Sequence, residues 1–207
     1  MVVAGAFGYF ILGSVLSMGS QSTGEPRITN AHLQSLLIFE VIMYVVLILF
    51  LSLRNWRPSD IGLVPSLKDS LTGLGLALAG YLVYVVAWLI VSQFEPALQT
   101  RADTLVKSDL SLGMVVAVSI INPIYEEVFV SGYIITALKS RGMWLAINIS
   151  VAVRLAYHLY QGAYSLINII PLGLFFGYWY ARTGRLWPLI VAHGLFDFLA
   201  LAFFISH

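Results

Sequence analysis

Seven long apolar stretches, separated by short polar connectors, dominate this sequence. A transmembrane helix needs about 20 mostly apolar residues, so the sequence predicts an all-α, polytopic membrane helical bundle of about seven transmembrane helices. None of the connectors is long enough to hold a soluble domain, and we expect residues 1–207 to form a single integral membrane domain. The stretches run over Val2–Ser17, Leu33–Leu53, Leu71–Phe94, Leu112–Leu138, Trp144–Gly162, Tyr164–Ala181 and Leu186–Ile205.

The composition agrees with a lipid environment. Hydrophobic residues make up 59% of the chain, charged residues only 10%, and the mean hydropathy is +0.89, whereas about 25% of the residues of a soluble domain are charged. The net charge of +1 is too small to attract nucleic acid, and no nucleic-acid partner is expected. The apolar composition instead makes the lipid bilayer the expected partner. The absence of cysteine excludes disulfides, thiolate zinc sites and a cysteine nucleophile.

A few ionisable residues lie inside the apolar stretches, where each costs about 2.5–3.5 kcal/mol on insertion scales. Six of these seven residues fall in the last four stretches, and this clustering predicts a functional site there. The seven are Glu40, Glu126, Glu127, Arg154, His158, His193 and Asp197. Glu40 has no charged neighbour at helical spacing, and we interpret it as a protonated carboxyl group bonded to another helix rather than as a functional residue.

Two adjacent carboxylates occupy the middle of the fourth stretch. Neighbouring residues of an α-helix point about 100° apart, so we expect one of Glu126 and Glu127 to face a cavity while the other braces a neighbouring helix. Pro123 leaves the carbonyl of Ser119 without its usual donor and predicts a bend there, and bent membrane helices are tolerated where they line a cavity. The alternative is an ion pair that only holds helices together.

Two further pairs have a spacing of four residues, which places both members on one helix face. They are Arg154 with His158, and His193 with Asp197. A general base, a water-holding imidazole and donors to a developing oxyanion are the groups that hydrolyse an amide. The same residue types also bind metals, although the H-E-x-x-H signature of helical zinc proteases is missing.

Taken together, these motifs resemble the CPBP family, the membrane proteases that include the Ras-converting CAAX prenyl endopeptidase and bacterial bacteriocin-processing and self-immunity proteins. The family pattern is E-E-x-x-x-R, then F-x-x-x-H, then H-x-x-x-N/D, and here it reads EEVFVS, RLAYH and HGLFD, within residues 112–203. The stretches RPSDIGLVPSLKD and YARTGRLWPLIVAH are also similar to segments of family members.

The resemblance implies an endopeptidase that cuts a peptide bond near the membrane with an activated water molecule. It implies that Glu126 is the general base, that His158 helps to hold the water, and that Glu127 braces the base. His193 and Asp197 would flank the substrate carbonyl and stabilise the oxyanion. This mechanism requires no cofactor, whereas a zinc ion, if used, would be bound by Glu126, His158 and His193.

Two positions depart from the family pattern. Ser131 stands where the first motif has arginine, and Arg154 stands where the second has phenylalanine. Our hypothesis is that Arg154 neutralises Glu127 from the next helix. An ionised Asp197 only accepts hydrogen bonds, so we expect it to orient and charge His193 rather than to donate to an oxyanion.

The implied substrate is a peptide or protein at the membrane, such as a leader peptide or a membrane-anchored tail, for a multi-pass protein of the bacterial cell membrane. The changes at Ser131 and Arg154 favour one alternative, a non-proteolytic immunity or scaffold protein that keeps the fold. A proton-coupled transporter is a second alternative, because intramembrane carboxylates and histidines also serve as proton relays.

Overall fold

The fold is a bundle of helices, seen in a computed structural model that describes residues 1–19, 28–94, 110–161 and 164–205. Within these ranges the only β-type pairing is one isolated bridge between Leu110 and Ile205. The prediction of an all-α membrane bundle is therefore confirmed. The helices are α1 (Val2–Gly19), α2 (Asn30–Ser52), α3 (Leu67–Phe94), α4 (Leu112–Glu126), α5 (Met143–Tyr157), α6 (Tyr164–Thr183) and α7 (Trp187–Ala202).

Helix α4 continues without interruption beyond Glu126, and its continuation, which contains Glu127, belongs to the same helix. It continues as a π-helical segment over Glu127–Ile135 and a last α-helical turn over Thr136–Leu138. Single 3₁₀ turns lie at Pro58–Ile61, Lys139–Arg141 and Leu159–Gln161. π-Helical turns often occur at functional sites, and this one begins at the second residue of the glutamate pair.

Length and apolarity support three of the seven predicted spans. Asn30–Ser52, Leu67–Phe94 and Leu112–Arg141 are long and apolar enough to cross a membrane, whereas Val2–Ser17, Met143–Tyr157 and Trp187–Ala202 are apolar but shorter. The predicted span Trp144–Gly162 is wrong at its end, because α5 stops at Tyr157. At 1.5 Å per residue α5 is about 22 Å long, which is less than the roughly 30 Å hydrocarbon core.

Helices α2 and α3 turn most of their surface outward. In each of these helices only 17% of the most apolar 18-residue segment is buried inside the bundle, compared with 50% of the corresponding segment of α4 and its continuation. The exposed side chains are large and apolar, which suits contact with lipid tails rather than water. Those on α2 include Ile38, Val41, Ile42, Val45 and Leu49, and those on α3 include Leu71, Leu74, Leu78, Leu82 and Leu89.

Helix α7 approaches α4 at the carbonyl of Ser119, which Pro123 leaves without its usual hydrogen-bond donor. Pro123 has no N–H to donate to Ser119, and Gly194 lies against that carbonyl oxygen so closely that an added Cβ would be 2.5 Å from it. Gly194 stands between His193 and Asp197 in α7. The close approach therefore sets the position of this histidine–aspartate pair against the glutamates of α4.

The two family-like loops contact each other at one end of the bundle. The backbone N–H of Leu186 donates to the carbonyl of Gly62 at 3.0 Å, and Arg185 forms an ion pair with Asp69. Gly62 has a φ of +65°, and a Cβ there would overlap the carbonyl of Gly184. This contact ties the entry to α3 to the entry to α7.

Candidate active site

Arg154 of α5 reaches both glutamates of α4. Its Nη2 donates to Glu127 Oε1 at 2.8 Å, and its Nη1 lies 3.7 Å from Glu126 Oε2. Ser131, which replaces the arginine of the family motif, donates its hydroxyl to Glu127 Oε2 at 2.5 Å. The predicted pairing of Arg154 with Glu127 is confirmed, and the fully buried Glu127 has a partner on each of its oxygens.

One glutamate braces a neighbouring helix as expected, because Glu127 is bonded to Arg154 of α5, and both carboxyl groups also lie beside one imidazole. His193 Nδ1 lies 2.8 Å from Glu127 Oε1, while its Nε2 lies 4.0 Å from Glu126 Oε2. The angle of about 100° applies to an α-helix, and the wider turns of the π-helical segment that starts at Glu127 reduce it. One imidazole can therefore contact both carboxyl groups.

Asp197 lies beside the imidazole but does not make its shortest contact. Asp197 Oδ1 is 3.5 Å from His193 Nε2, and Asp197 Oδ2 accepts a hydrogen bond from Asn122 Nδ2 at 2.9 Å. The shorter bond of the His193 ring is that of Nδ1 to Glu127. The expectation that Asp197 orients His193 stays a prediction, and Glu127 is a further partner of the ring.

His158 lies one residue beyond the last residue of α5. Its Nδ1 is 3.0 Å from the carbonyl oxygen of Arg154; since a carbonyl only accepts, Nδ1 carries the proton of that bond. Arg154 lies in the last turn of α5 and His158 is the residue that caps the helix, so the predicted pair spans the end of the helix. The His158 imidazole lies within range of electrostatic interaction with Glu126 and His193.

Exposure changes in one direction across the site. The side chain of Glu127 is 0% exposed, that of Glu126 9%, and those of Arg154 and His193 are 11% and 13% exposed. Asp197 is the most open of the five, at 22%. The site therefore opens toward α7, with Glu127 sealed at its base and Glu126 accessible from the open side.

Sequence reasoning missed two side chains of this site. The hydroxyl of Tyr157 donates to Glu126 Oε2 at 2.7 Å, and the ring of Tyr157 stacks on Phe7 of α1 at 4.7 Å between centroids. Asn122 holds Asp197. A signal existed for each, because Tyr157 directly precedes His158 and Asn122 stands one helical turn before Glu126.

Glu40 of α2 is nearer to the site than its sequence context indicates. Its residue exposure is 2%, and its carboxyl group lies within range of electrostatic interaction with Glu126, Asp197 and His193. Its Oε2 atom is buried with no hydrogen-bond partner among the described residues. The hydrogen bond to another helix that we expected of Glu40 is therefore missing at this oxygen.

The side chains do not fit the zinc site considered above. Among the described residues no three histidine, aspartate or glutamate side chains are grouped so that they could hold a metal ion. Instead, the positive charge next to Glu126 and Glu127 is the guanidinium of Arg154. His193 already directs its Nδ1 to Glu127.

Comparisons with known proteins identify the same part of the chain. A family model described as "Type II CAAX prenyl endopeptidase Rce1-like" matches residues 108–199, which contain all three motifs. UPF0177 protein YbdI of Lactococcus lactis subsp. lactis (strain IL1403) is 25% identical over 175 residues, which cover 82% of this chain and 94% of the relative. No solved structure matches the chain. The resemblance drawn from the motifs is thus confirmed: residues 108–199 are similar to the Rce1-like type II CAAX prenyl endopeptidases, a family of membrane-embedded proteases.

Proposed function

We propose that this chain is an intramembrane endopeptidase of the CAAX type, which hydrolyses a peptide bond with a water molecule activated by Glu126. One distance carries the proposal. Glu126 Oε2 and His193 Nε2 are 4.0 Å apart, which is too far for a direct hydrogen bond. A single water molecule with bonds of about 2.8 Å to each atom bridges such a gap.

Glu126 has the surroundings of a general base. Its Oε2 accepts a hydrogen bond from the hydroxyl of Tyr157 and lies 3.7 Å from the guanidinium of Arg154, so the carboxyl group is held in place and has a positive charge beside it. The carboxylate takes a proton from the water as the water oxygen bonds to the carbonyl carbon. When the tetrahedral intermediate collapses, the C–N bond breaks and Glu126 returns the proton to the leaving amine.

The two imidazoles have different tasks in this mechanism. Because Nδ1 of His158 is bonded to the Arg154 carbonyl, its Nε2 is free to accept the second hydrogen of the water. His193 is held by Glu127 through Nδ1. In its protonated form, His193 holds the water oxygen through Nε2–H while no substrate is bound, and the same N–H donates to the substrate carbonyl oxygen once the substrate is in place.

The substrate in this proposal is a peptide or protein held at the membrane, such as a leader peptide or an anchored tail. The apolar surfaces of α2 and α3 support a multi-pass membrane location. The bacterial origin of the relative supports the cell membrane of a bacterium, in which prenylated proteins are not the expected substrates.

Replacement of the proposed base tests the function. Purified protein in liposomes is given two internally quenched peptides, one with an acyl anchor and one ending in a farnesylated cysteine and three further residues. Glu126→Gln keeps the side-chain shape but loses the proton acceptor, so we expect kcat to fall by about 10²- to 10⁴-fold. Asp60→Asn, the same chemical change at an exposed position, is the matched control.

Either of two results contradicts the proposal. One is a Glu126→Gln variant that cleaves at the wild-type rate. The other is wild-type protein that cleaves neither peptide, and the non-proteolytic scaffold would then be the better account of this fold.

A further inference from the structure

The site has a donor that the motif residues do not supply. An oxyanion needs hydrogen-bond donors, whereas an ionised Asp197 offers only acceptors. Moreover, Asp197 Oδ2 already accepts a hydrogen bond from Asn122 Nδ2 at 2.9 Å. The group that brings N–H donors to this side of the site is therefore the amide of Asn122.

The amide of Asn122 has a donor to spare. A carboxamide nitrogen carries two hydrogens, and the bond to Asp197 uses one of them. The structure shows no acceptor for the second hydrogen within the described parts of the chain. Asn122 is only half-buried, so this hydrogen is open to a bound molecule.

The position of Asn122 suits contact with the reacting group. It precedes Glu126 by four residues in α4, which places the two side chains one above the other on one helix face. Asp197 contacts it from α7, and the other carboxylate oxygen of Asp197 lies 3.5 Å from His193 Nε2. A carbonyl whose carbon lies beside the water on Glu126 then has its oxygen between the Asn122 amide and His193.

We propose that Asn122 is a catalytic residue that donates its second amide N–H to the substrate carbonyl oxygen, and that Asp197 is a positioning residue that holds this amide. The inference rests on the proposed protease function. As the water oxygen bonds to carbon and its proton passes to Glu126, the π electrons of the carbonyl move onto the oxygen, where the amide of Asn122 stabilises them. The C=O bond re-forms as the amine leaves with that proton.

Moving the amide group from position 122 to position 197 tests this proposal, with the same quenched peptides as substrates. Asn122→Ala removes the donor and lowers kcat by about 10²- to 10³-fold with little change in KM, which is typical of the loss of one oxyanion donor. Asp197→Asn added to Asn122→Ala places a new amide on the opposite helix and restores kcat by at least tenfold. A merely structural role predicts no such recovery.

Thermal unfolding in detergent accompanies each variant, and Asn122→Leu, which has a similar volume, replaces the alanine variant if that variant does not fold. A folded donor-less variant with wild-type kcat overturns the inference, as does a double variant no faster than the single one. Because Glu126→Gln tests the protease function separately, an inactive Glu126→Gln beside a fully active Asn122→Ala refutes only the role of Asn122.

Discussion

Two carboxyl groups of this protein are equally deep in the bundle but differ in what surrounds them. Glu127 of α4 is bonded to Arg154, Ser131 and His193. Glu40 of α2 is also buried, yet its Oε2 has no hydrogen-bond partner within the described ranges. The comparison shows that burial alone says little about the contribution of an acidic residue to stability. The hydrogen-bond donors and positive charges around the carboxyl group decide that contribution.

The difference follows from the cost of removing charge from water. A buried ion is tolerated when an opposite charge and further hydrogen bonds compensate it, and the loss of one partner leaves the other uncompensated. A buried polar atom without a partner costs free energy in the folded state itself. The cluster around Glu127 should therefore be sensitive to the loss of any member, whereas the Glu40 position should gain stability from an apolar side chain.

The largest effect is expected when the cation is removed from the paired cluster. Arg154→Phe restores the residue of the family pattern but leaves Glu127 without a counter-charge. Breaking a buried ion pair on one side costs about 3–5 kcal/mol, so we expect the free energy of unfolding to fall by this amount and little folded protein to be recovered. Thermal unfolding in detergent micelles measures the change.

The double variant Ser131→Arg/Arg154→Phe sharpens this test because it returns the cation to the helix of the glutamates, four residues after Glu127. We expect it to be more stable than Arg154→Phe alone. Arg141→Phe, at an exposed arginine, serves as the control for loss of a cation. If the double variant is no more stable than the single one, the transfer of the counter-charge from one helix to the other is refuted.

A smaller effect is expected when only a hydrogen bond to Glu127 is lost. Ser131→Ala leaves Glu127 Oε2 buried without its donor while Oε1 keeps Arg154 and His193. The cost of one such unsatisfied atom is about 1–3 kcal/mol, and the unfolding temperature should fall accordingly. Ser59→Ala, at an exposed serine, should not change it, and an equal shift in both variants would show that Glu127 does not depend on Ser131.

Much of this cluster could be predicted from the sequence, because an apolar background makes each ionisable residue conspicuous. Ser131 stands where the family pattern has an arginine, and Arg154 adds an arginine where the pattern has none. This exchange indicated the contact between Arg154 and Glu127 that the structure contains. The all-α class followed from apolar stretches too long for ordinary core helices. These inferences needed only local patterns and the cost of buried charge.

Other features depend on packing that a local pattern does not contain. The end of α5 at Tyr157 and the π-helical segment that starts at Glu127 lie inside continuous apolar stretches, which contain no helix-ending signal at those points. Asn122 was passed over because a single amide is neutral and does not stand out as a charge does. Glu40 seemed isolated because its neighbours in the fold come from distant parts of the chain.

The smallest expected effect, and the only one of opposite sign, lies at Glu40. The other buried residues of α2 are Leu33, Leu47 and Leu51, so Glu40 occupies a position in a stripe of leucines. Glu40→Leu continues that stripe and removes the unpartnered oxygen, and we expect a gain of about 1–2 kcal/mol in the free energy of unfolding. Glu40→Gln, which keeps a buried polar group of the same shape, should give less than half of this gain. A lower unfolding temperature for Glu40→Leu than for the wild type would show that the carboxyl group stabilises the fold, and the contrast with Glu127 would then be lost.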